Sequence, residues 1–573
     1  MAVNYPSVWI SELMFSDGSR VPCSPNDVLI IVGPNNSGKS ACLRGIRDKV
    51  QDVAKSNPVI AQIGLGRSGS ADDLFAWLGD WTFTDSERQP GNVFFQALGI
   101  GVFHSQAEHD WTYRQDALGA LSRWFCNLLT TEERLQLANP APAIPITHAA
   151  PSHPIHYLYR NDQLESKLRS KFRNALSVDL ILHRGAGSEA PLYVGEAPSI
   201  GDAEDRVSLS YVRRLETLST LQSQGDGMRS FVGVLLATLV GRESVLLIDE
   251  PEAFLHPPQA HLLGSTLAHE RADGRQLFLA THSADLLRGV LDSESRNVRV
   301  LRLTRQGSTN AVHVLDNAHI RELWADPLLR YSNILDGLFH ECVVVCESDG
   351  DCRFFAAVYN SLHDSESESA RRLDVMFTHC GGKARLPVVI RALKEVHVPV
   401  KAVADFDILS DEKPLREVVE ALGLEWSEVE HDWKCVKGAI DSKKPELNTT
   451  EIAEEIHSVL DGITEPFFPK NAKDKIQSVL RRSSPWATAK SVGKAFVPSG
   501  DPSQACERLL KTLRSAGLHV VEVGELEGFA RTIGGHGPKW VNEALQRDLH
   551  KDPELDSARE FVEQLLSTVA LGE

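Results

Sequence analysis

The amino-acid sequence predicts an α/β protein with two domains, and three observations support this prediction. Short apolar segments of strand length, such as Val28–Val32 and Val245–Ile248, alternate with segments of helical periodicity. A second series of such strands begins near Glu341, after the first series has ended at Leu315. The length of 573 residues is also more than one hydrophobic core normally accommodates.

The pattern indicates a domain boundary between residues 325 and 338. The first domain is expected to cover residues 1–325, with residues 110–225 as an inserted arm or dimerisation segment, because few strand signals occur there. An apolar stripe from Leu164 to Leu176 predicts an arm or interface helix within this insertion. The second domain is expected to cover residues 338–573, with a helix-rich insertion at about residues 410–515.

In the first domain, strand and helix signals follow one another in the order typical of a parallel α/β core. An opening strand, a turn at Asp17–Ser19 and a buried strand lead into a glycine-rich segment and a helix that runs to Val50. After the arm, an apolar helix precedes two buried strands, and two alternating strands end the domain. The predicted elements are the strands Val8–Phe15, Val28–Val32, Val245–Ile248, Leu277–Ala280, Val298–Leu303 and Val312–Leu315, with a helix over Phe231–Val240.

The second domain shows its own strand signals, and a charged insertion separates the last two of them. The insertion contains a basic stretch from Lys470 to Lys494. We interpret this stretch either as a local nucleic-acid channel or as the solvated face of helices. The predicted strands are Cys342–Cys346, Val375–Phe377, Val400–Ala404 and Val520–Val523.

Composition narrows the class of protein. The 60 basic and 78 acidic residues give a formal net charge of −18, which argues against a chain that coats nucleic acid with its whole surface. Apolar runs fall short of the roughly 18 residues that a membrane span needs. Nine scattered cysteines suggest no disulfide framework. We therefore expect a cytoplasmic protein without a membrane partner.

A phosphate-binding loop is predicted directly after the strand Val28–Val32. Here the sequence matches the pattern G-x-x-x-x-G-K-S/T and is followed by a helix, which is the context this motif requires. The backbone N–H groups of such a loop point at phosphates, the lysine reaches the β- and γ-phosphates, and the hydroxyl binds magnesium. The residues predicted to bind ATP with Mg²⁺ through this loop are Gly33, Asn36, Ser37, Gly38, Lys39 and Ser40.

Acidic residues at the end of the strand Val245–Ile248 complete the predicted nucleotide site. Asp249 is expected to hold the magnesium ion, usually through water, and Glu250 is expected to polarise the attacking water. His282 follows the next buried strand and could sense the γ-phosphate. The alternative for His282 is a purely structural role.

These motifs resemble the ABC-type ATPases of the SMC kind. The resemblance depends on the phosphate loop, on Asp249–Glu252 and on Ala280–Ser283. It implies that the segment Ser223–Arg229 is the family's signature loop, although its sequence departs from the usual LSGGQ. In the family this loop completes the site of a partner subunit, so Gly225 and Gly227 are expected to contact nucleotide across a homodimer.

Two pairs of carboxylates predict a metal site in the second domain. Glu347 ends a buried strand and Asp351 follows four residues later, so a helix that begins at Glu347 would turn both the same way. Asp405 and Asp407 end another strand on one side of it. Gathered carboxylates repel each other unless cations lie between them, and Mg²⁺ or Mn²⁺ is the natural occupant. Two such ions about 4 Å apart suit phosphodiester cleavage. The alternative is that these acids cap helices.

The same residues resemble the Toprim fold, with Glu347 as its strand-end acid and Asp405-Phe406-Asp407 as its DxD motif. Further along, the chain resembles the nucleases of the OLD (overcoming lysogenization defect) family. That resemblance implies that Glu525 or Glu527 adds a metal ligand, and that Lys539 stabilises charge at the scissile phosphate.

An ABC-type ATPase followed by a Toprim domain is the arrangement of OLD-like proteins, among them the Gabija nuclease and retron effectors. The resemblance implies an ATP-regulated, metal-dependent DNA endonuclease in anti-phage defence. It also implies DNA binding, a homodimer or higher homo-oligomer, and a separately encoded partner such as a helicase or a retron reverse transcriptase with its DNA or RNA. ATP could either license or restrain cleavage. The alternatives are an ATP-switched DNA clamp with a non-cleaving Toprim domain and a primase- or topoisomerase-like enzyme.

Overall fold

The computed structural model describes residues 5–82, 93–145, 149–201, 204–270, 274–293, 297–307, 309–315, 333–362, 372–443, 449–463, 465, 467–482 and 484–567. The chain divides into two compact units, Met1–Arg330 and Tyr331–Glu573. Strands and helices alternate in both units, so the predicted α/β class is confirmed. Within the described residues, no helix combines the length and the apolar character needed to cross a membrane.

The first unit contains a central sheet, smaller sheets and surrounding helices. Its described strands are β1 (Ser7–Phe15), β2 (Arg20–Pro22), β3 (Val28–Val32), β4 (Ile60–Ser68), β5 (Phe94–Ala97), β6 (Ile100–Phe103), β7 (Cys126–Leu129), β8 (Ala141–Pro142), β9 (Asp179–Leu182), β10 (Glu189–Ala190), β11 (Leu192–Gly195), β12 (Ser219–Thr220), β13 (Val245–Asp249), β14 (Gln276–Ala280), β15 (Val298–Gln306) and β16 (Thr309–Leu315). Its described helices are α1 (Lys39–Gln51), α2 (Ala71–Thr82), α3 (His104–Tyr113), α4 (Ser122–Phe125), α5 (Thr131–Gln136), α6 (Ile155–Arg160), α7 (Asp162–Leu176), α8 (Leu209–Leu215), α9 (Asp226–Val240), α10 (Pro257–His269) and α11 (Ala284–Leu291).

The central sheet brings the nucleotide-binding motifs to one edge. Its strand order is β16-β15-β3-β14-β13-β7, and its pairs are parallel except for β15 with β16. All residues of β3 and β14 are buried, as expected for strands covered on both faces. Because Asp249 pairs with Ala280, the acidic end of β13 lies beside the segment that begins at Thr281.

A second sheet, of order β2-β1-β4, is joined to the central one through a buried amide. Gln276 accepts a hydrogen bond from the Ile10 N–H through Oε1 and donates one to the Ile10 carbonyl through Nε2, each at 2.9 Å. The side chain thereby replaces a backbone partner for the strand β1. A buried polar group that is satisfied in this way fixes the relative position of the two sheets.

Parts of the segment predicted as an arm pack into the core of the first unit. The short strand β7 pairs in parallel with β13 and forms the edge of the central sheet. The helix α7 buries Leu168 and Phe172, and the Phe172 ring lies 6.5 Å from the Phe231 ring of α9. Its charged face is also occupied, because Lys167 and Lys171 pair with Glu270. Charged residues around the apolar stripe therefore mark the outer face of a packed helix.

The second unit is built on a four-stranded parallel sheet of order β18-β17-β19-β20. A hydrophobic cluster that includes Phe354, Phe529 and Trp540 packs beside it. Its described strands are β17 (Cys342–Cys346), β18 (Val375–His379), β19 (Val400–Ala404) and β20 (Leu518–Val520). Its described helices are α12 (Asp349–Leu362), α13 (Leu386–Glu395), α14 (Glu412–Ala421), α15 (Glu430–Asp441), α16 (Thr449–Asp461), α17 (Lys470–Arg482), α18 (Pro485–Val492), α19 (Asp501–Ala516), α20 (Pro538–Ala544) and α21 (Asp556–Ser567).

The helices α14 to α19 form the insertion between β19 and β20. The last strand lies earlier than the predicted Val520–Val523, since β20 ends at Val520. The chain then turns over residues 521–524, where the Gly524 N–H donates to the Val521 carbonyl at 3.0 Å and Gly524 has a φ of 112°, a conformation that glycine permits. This turn lies at the carboxyl edge of the sheet, next to the predicted metal ligands.

Candidate nucleotide and metal sites

The phosphate loop between β3 and α1 has the strained backbone that its glycines permit. Gly33, Asn36 and Gly38 have φ values of 146°, 62° and 95°. A Cβ atom on Gly33 would lie 2.3 Å from the Leu303 carbonyl oxygen, so no larger residue fits there. Gly38 is the N-cap of α1, and the loop therefore ends on the positive end of a 13-residue helix.

Side chains from two motifs meet in this loop. Lys39 Nζ donates hydrogen bonds to the carbonyl oxygens of Gly33 (2.8 Å) and Pro34 (3.0 Å). Ser40 Oγ donates to Asp249 Oδ1 at 2.9 Å. A hydroxyl and a carboxylate that meet in this way are the groups that hold magnesium in phosphate-loop ATPases.

A cavity of about 310 Å³ opens over the loop. Asn35 to Ala41 line one side, and Glu250 lies at its wall. Two arginines that the sequence motifs did not indicate, Arg44 and Arg305, also line it. Their positive charge adds to that of Lys39, and the cavity is therefore suited to a polyanion such as a nucleoside triphosphate.

The acidic end of β13 is held by a buried arginine. Arg134 Nη1 donates to the Asp249 carbonyl (2.6 Å), and Nη2 donates to the Glu250 carbonyl (2.8 Å). Its Nε donates to Ser230 Oγ of α9 at 2.8 Å. Glu250 has a φ of 49°, which is uncommon for a residue with a side chain. Arg134 therefore fixes the strained turn that directs Glu250, and burial lowers the pKa of its guanidinium.

His282 lies next to the acidic turn, as the sequence predicts. Its Nδ1 is 3.5 Å from Glu250 Oε1 and 3.6 Å from Glu252 Oε1. The buried Glu252 accepts hydrogen bonds from Thr281 Oγ1 (2.6 Å) and from the His282 N–H (3.0 Å). Burial raises the pKa of Glu252 and of Asp249. Glu252 thus orients the histidine beside the residue proposed to activate water.

The predicted signature loop precedes α9. Gly225 is the N-cap of this helix, and a Cβ atom on Gly227 would lie 2.6 Å from the Phe254 carbonyl oxygen. Among the described residues that line the nucleotide cavity, neither glycine is present. Their contact with nucleotide across a dimer stays a prediction.

In the second unit, three of the predicted carboxylates converge. Glu347 follows β17, and Asp405 follows the neighbouring parallel strand β19. With Asp407 they form a group in which one oxygen from each residue lies within 4.8 Å of the others. The Asp405 N–H donates to Glu347 Oε1 at 3.2 Å.

The electrostatics of this acidic group fit a divalent cation. Burial, together with the Asp405 and Asp407 carboxylates, raises the pKa of Glu347 to about 7. Burial also raises the pKa of Asp405 to about 6, against the opposing effect of Lys490. Asp407 Oδ1 is buried and accepts no hydrogen bond within the part of the chain that the structure describes. Oxygen ligands of this kind are those that Mg²⁺ and Mn²⁺ prefer.

Contrary to the prediction from the sequence spacing, Asp351 does not lie on a common helix face with Glu347. The helix α12 begins at Asp349, so Glu347 precedes it and the two carboxylates do not share a helix face. Asp351 Oδ2 instead accepts a hydrogen bond from the Ser348 N–H at 2.9 Å. Burial raises the Asp351 pKa, and the Glu527 carboxylate raises it further. Asp351 is therefore electrostatically linked to the late acidic segment.

The late acidic segment forms a second group. Ligand atoms of Glu525, Glu527 and His536 lie within 4.8 Å of one another. Glu527 Oε1 is 2.7 Å from His536 Nδ1 and accepts the Gly537 N–H at 2.7 Å. Burial and the Glu527 carboxylate raise the Glu525 pKa. Both glutamates belong to this group, and His536 was not predicted. Lys539 lies exposed on α20 nearby.

Two lysines contact the first acidic group. Lys490 Nζ lies 2.8 Å from Asp405 Oδ2 and 3.8 Å from Asp407 Oδ2, and Lys383 Nζ donates to Asp407 Oδ2 at 3.0 Å. The sequence motifs did not single out Lys383, and Lys490 was indicated only as part of the basic stretch. Lys494, from the same stretch, pairs with Glu522 at 3.3 Å. The stretch is therefore not a single surface facing nucleic acid.

Sequence comparison supports the assignment of the first unit. The family described as "AAA domain, putative AbiEii toxin, Type IV TA system" matches residues 28–288. The Old nuclease of Escherichia phage P2 is 22% identical over 174 residues, which are 29% of this chain and 28% of that protein. An uncharacterized protein from Methanocaldococcus jannaschii is 28% identical over 103 residues, 17% of this chain and 90% of that protein. The match to the Old nuclease thus spans little more than a quarter of its length.

Solved structures of Smc head domains align with slightly more than half of the chain. The head bound to the C-winged helix domain of ScpA has 10% identity and a TM-score of 0.34, covering 55% of this chain and 99% of that one. The head domain from Thermotoga maritima has 12% identity and a TM-score of 0.26, covering 55% and 100%. Because these scores are low, the fold assignment depends on the sheet order and the phosphate loop. By these features the first unit has the fold of a P-loop ATPase domain, and the match to an AAA domain family over residues 28–288 agrees with this assignment.

Proposed function

We propose that this chain is an ATP-regulated, divalent-metal-dependent DNA endonuclease. The observation that carries the proposal is the convergence of Glu347, Asp405 and Asp407 at neighbouring parallel strand ends, in a chain that also carries a complete phosphate loop. The similarity to the Old nuclease of phage P2 supports the same function. As part of this proposal, we assign the second unit to the Toprim fold.

In the ATPase site, the chain's own groups position the nucleotide. The loop N–H groups and Lys39 would bind the β- and γ-phosphates once Lys39 leaves the Gly33 and Pro34 carbonyls. Ser40 and Asp249 would hold the magnesium ion. Glu250, fixed by its strained turn, would orient the attacking water, and His282 would report on the γ-phosphate.

In the acidic site, Glu347, Asp405 and Asp407 would hold one divalent ion. Asp351, Glu525 and Glu527 would contribute to a second. Such ions stabilise the attacking and leaving oxygens of a phosphodiester. On the resemblance to OLD nucleases, Lys539 would stabilise charge at the scissile phosphate.

We further propose that the chain acts as a homodimer or higher homo-oligomer. The resemblance to ABC-type ATPases assigns Gly225 and Gly227 to a site completed by a second copy. Light scattering at micromolar concentration, with and without ATP, should show at least a dimer, and a monomer in both conditions contradicts this part. A role in anti-phage defence with a separately encoded partner is proposed on the OLD resemblance alone.

A plasmid assay tests the nuclease proposal. Supercoiled DNA is incubated with the full chain and Mg²⁺ or Mn²⁺, with and without ATP, and EDTA is added in parallel reactions. We expect nicking or linearisation with metal, none with EDTA, and a rate that changes with ATP. If the protein binds circular DNA in the presence of ATP but does not cleave it, the alternative of an ATP-switched DNA clamp is favoured instead.

A further inference from the structure

Lys490 reaches the acidic site from the helical insertion. It lies near the end of α18, far in sequence from the acids that it contacts, and its side chain is about one-third exposed. Its ammonium is 2.8 Å from Asp405 Oδ2 and 3.8 Å from Asp407 Oδ2. Both residues are also proposed metal ligands. A monovalent side-chain cation therefore contacts oxygens that a divalent metal would need.

The backbone around Lys490 is fixed to the acidic segment. A Cβ atom on Gly524 would lie 2.2 Å from the Lys490 carbonyl oxygen, and one on Gly493 would lie 2.1 Å from the Glu522 carbonyl oxygen. These distances require glycine at both positions. The Gly524 carbonyl in turn accepts the Phe406 N–H, between the two aspartates, at 2.7 Å. The end of α18 is thus packed against residues 522–524, a segment that is itself hydrogen-bonded to the chain between Asp405 and Asp407.

The positive charge of Lys490 affects how the acidic site can bind a metal ion. The lysine neutralises part of a group of three carboxylates, and burial would otherwise disfavour their ionised form. A divalent ion bound to Asp405 would lie close to the ammonium and would repel it. Binding of the metal therefore requires that the ammonium leaves Asp405 Oδ2, although the Lys490 backbone stays in place.

We propose that Lys490 is an internal counter-cation that competes with the divalent metal for Asp405, so that the helical insertion sets the metal affinity of the acidic site. This inference depends on the proposed metal site. It assigns to the insertion a regulatory role in metal loading: withdrawal of the Lys490 ammonium from the acids would favour the metal-bound state, and its return would favour the metal-free state.

The test measures Mn²⁺ binding to the full chain by isothermal titration calorimetry, with Lys490→Gln compared with wild type. We expect the Gln variant to bind Mn²⁺ on the order of tenfold more tightly, because a repelling charge is removed. Its thermal unfolding in EDTA should occur at a lower temperature, because the three carboxylates lose a counter-charge. Lys490→Arg, which keeps the charge, should retain the wild-type affinity to within a few-fold.

Lys494→Gln is the matched control, because Lys494 lies in the same segment but pairs with Glu522 and Glu507. It should leave Mn²⁺ affinity unchanged. A folded Lys490→Gln variant that binds Mn²⁺ as wild type does, or more weakly, overturns the inference. If Lys490→Gln does not fold, equal affinity in wild type and Lys490→Met overturns it. Absence of Mn²⁺ binding by wild type would overturn the metal site itself, whereas binding without DNA cleavage would leave the inference standing and refute only the nuclease.

Discussion

The two candidate sites are built in opposite ways. The nucleotide site is centred on one continuous segment, Gly33 to Ser40, whose backbone leads into the positive end of α1. The acidic site depends on side chains that are distant in sequence, among them Glu347 and Asp405, which only the folded sheet brings together. The nucleotide site can therefore be recognised from a sequence motif. The acidic site can be recognised only from acidic residues at the predicted ends of strands.

Lysine illustrates the same difference. In the nucleotide site, Lys39 donates to backbone carbonyls and is directed at a pocket for an anion. In the acidic site, Lys490 contacts a carboxylate and is directed at a pocket for a cation. One lysine is thus expected to assist its ligand and the other to oppose it. Variants at the two sites should separate these roles.

The largest effect is expected at the phosphate loop. Lys39→Ala removes the charge that reaches the phosphates and should weaken ATP binding on the order of a hundredfold. Glu250→Gln should retain ATP binding and slow hydrolysis by a similar factor, because only water activation is lost. Fluorescent nucleotide binding and phosphate release measure these two quantities. Lys55→Ala, at an exposed lysine of the same unit, is the control and should change neither.

The same variants test communication between the sites. If nucleotide occupancy is the switch, Lys39→Ala and Glu250→Gln should change DNA cleavage in opposite directions. The Lys39→Ala variant cannot bind ATP, whereas the Glu250→Gln variant binds ATP but cannot hydrolyse it. Equal losses would indicate that turnover is required. Unchanged cleavage in both variants, across ATP concentrations, would show that the two units act independently.

A glycine substitution should affect the acidic unit strongly. Gly524→Ala adds a Cβ atom 2.2 Å from the Lys490 carbonyl oxygen at a residue with positive φ, and should lower the free energy of unfolding by about 2–4 kcal/mol. Gly438→Ala, at an exposed helical position with open space around it, should instead stabilise by up to about 1 kcal/mol. Urea unfolding followed by circular dichroism measures both. Equal stability of the two variants would refute the close contact.

Arg134→Lys tests the support of Glu250. A lysine has one nitrogen in place of the three that Arg134 uses for the Asp249 carbonyl, the Glu250 carbonyl and Ser230, so it cannot reach all of them, and the hydrolysis rate should fall about tenfold. The KM for ATP should change little, because the phosphate loop is untouched. A raised KM with an unchanged kcat would contradict a positioning role. Arg123→Lys, on the surface of the same unit, provides the control.

Another expected effect concerns the pH dependence of metal binding. The pKa of Glu347 is raised to about 7 and that of Asp405 to about 6, so protons compete with metal as the pH falls. The apparent affinity for Mn²⁺ should therefore decrease by about twofold from pH 8 to pH 7 and by about tenfold from pH 7 to pH 6, because protons on these carboxyl groups must be displaced. Calorimetric titrations at pH 6, 7 and 8 measure it. A constant affinity across this range would contradict the raised pKa values.

Much of the fold could be predicted because its signals are local. Apolar strands such as Val28–Val32 are buried on both faces and read as continuous hydrophobic runs. The edge strand Cys126–Leu129 could not be predicted, since it is short and lies in a segment without recognisable motifs. Arg134 follows that strand and was missed for the same reason.

The acidic site was predictable in part. Glu347 and Asp405 follow apolar strands, and that position indicates a shared sheet edge. The contact between Lys490 and Asp405 could not be predicted, because it depends on how the insertion folds back and on the approach of Gly493 to Gly524. Sequence spacing also misplaced Asp351, because the helix begins two residues after Glu347.

Cleavage of supercoiled plasmid by Asp405→Asn, with Mn²⁺ and ATP, tests the central claim most directly. The substitution keeps the shape of a proposed metal ligand but removes its charge. Asp411→Asn is the matched control, because Asp411 caps α14 and asparagine can cap a helix equally well. We predict that Asp405→Asn retains wild-type ATP binding and loses cleavage by at least about a hundredfold, whereas Asp411→Asn cleaves as wild type does. Wild-type cleavage by Asp405→Asn would contradict a metal-dependent nuclease at this site.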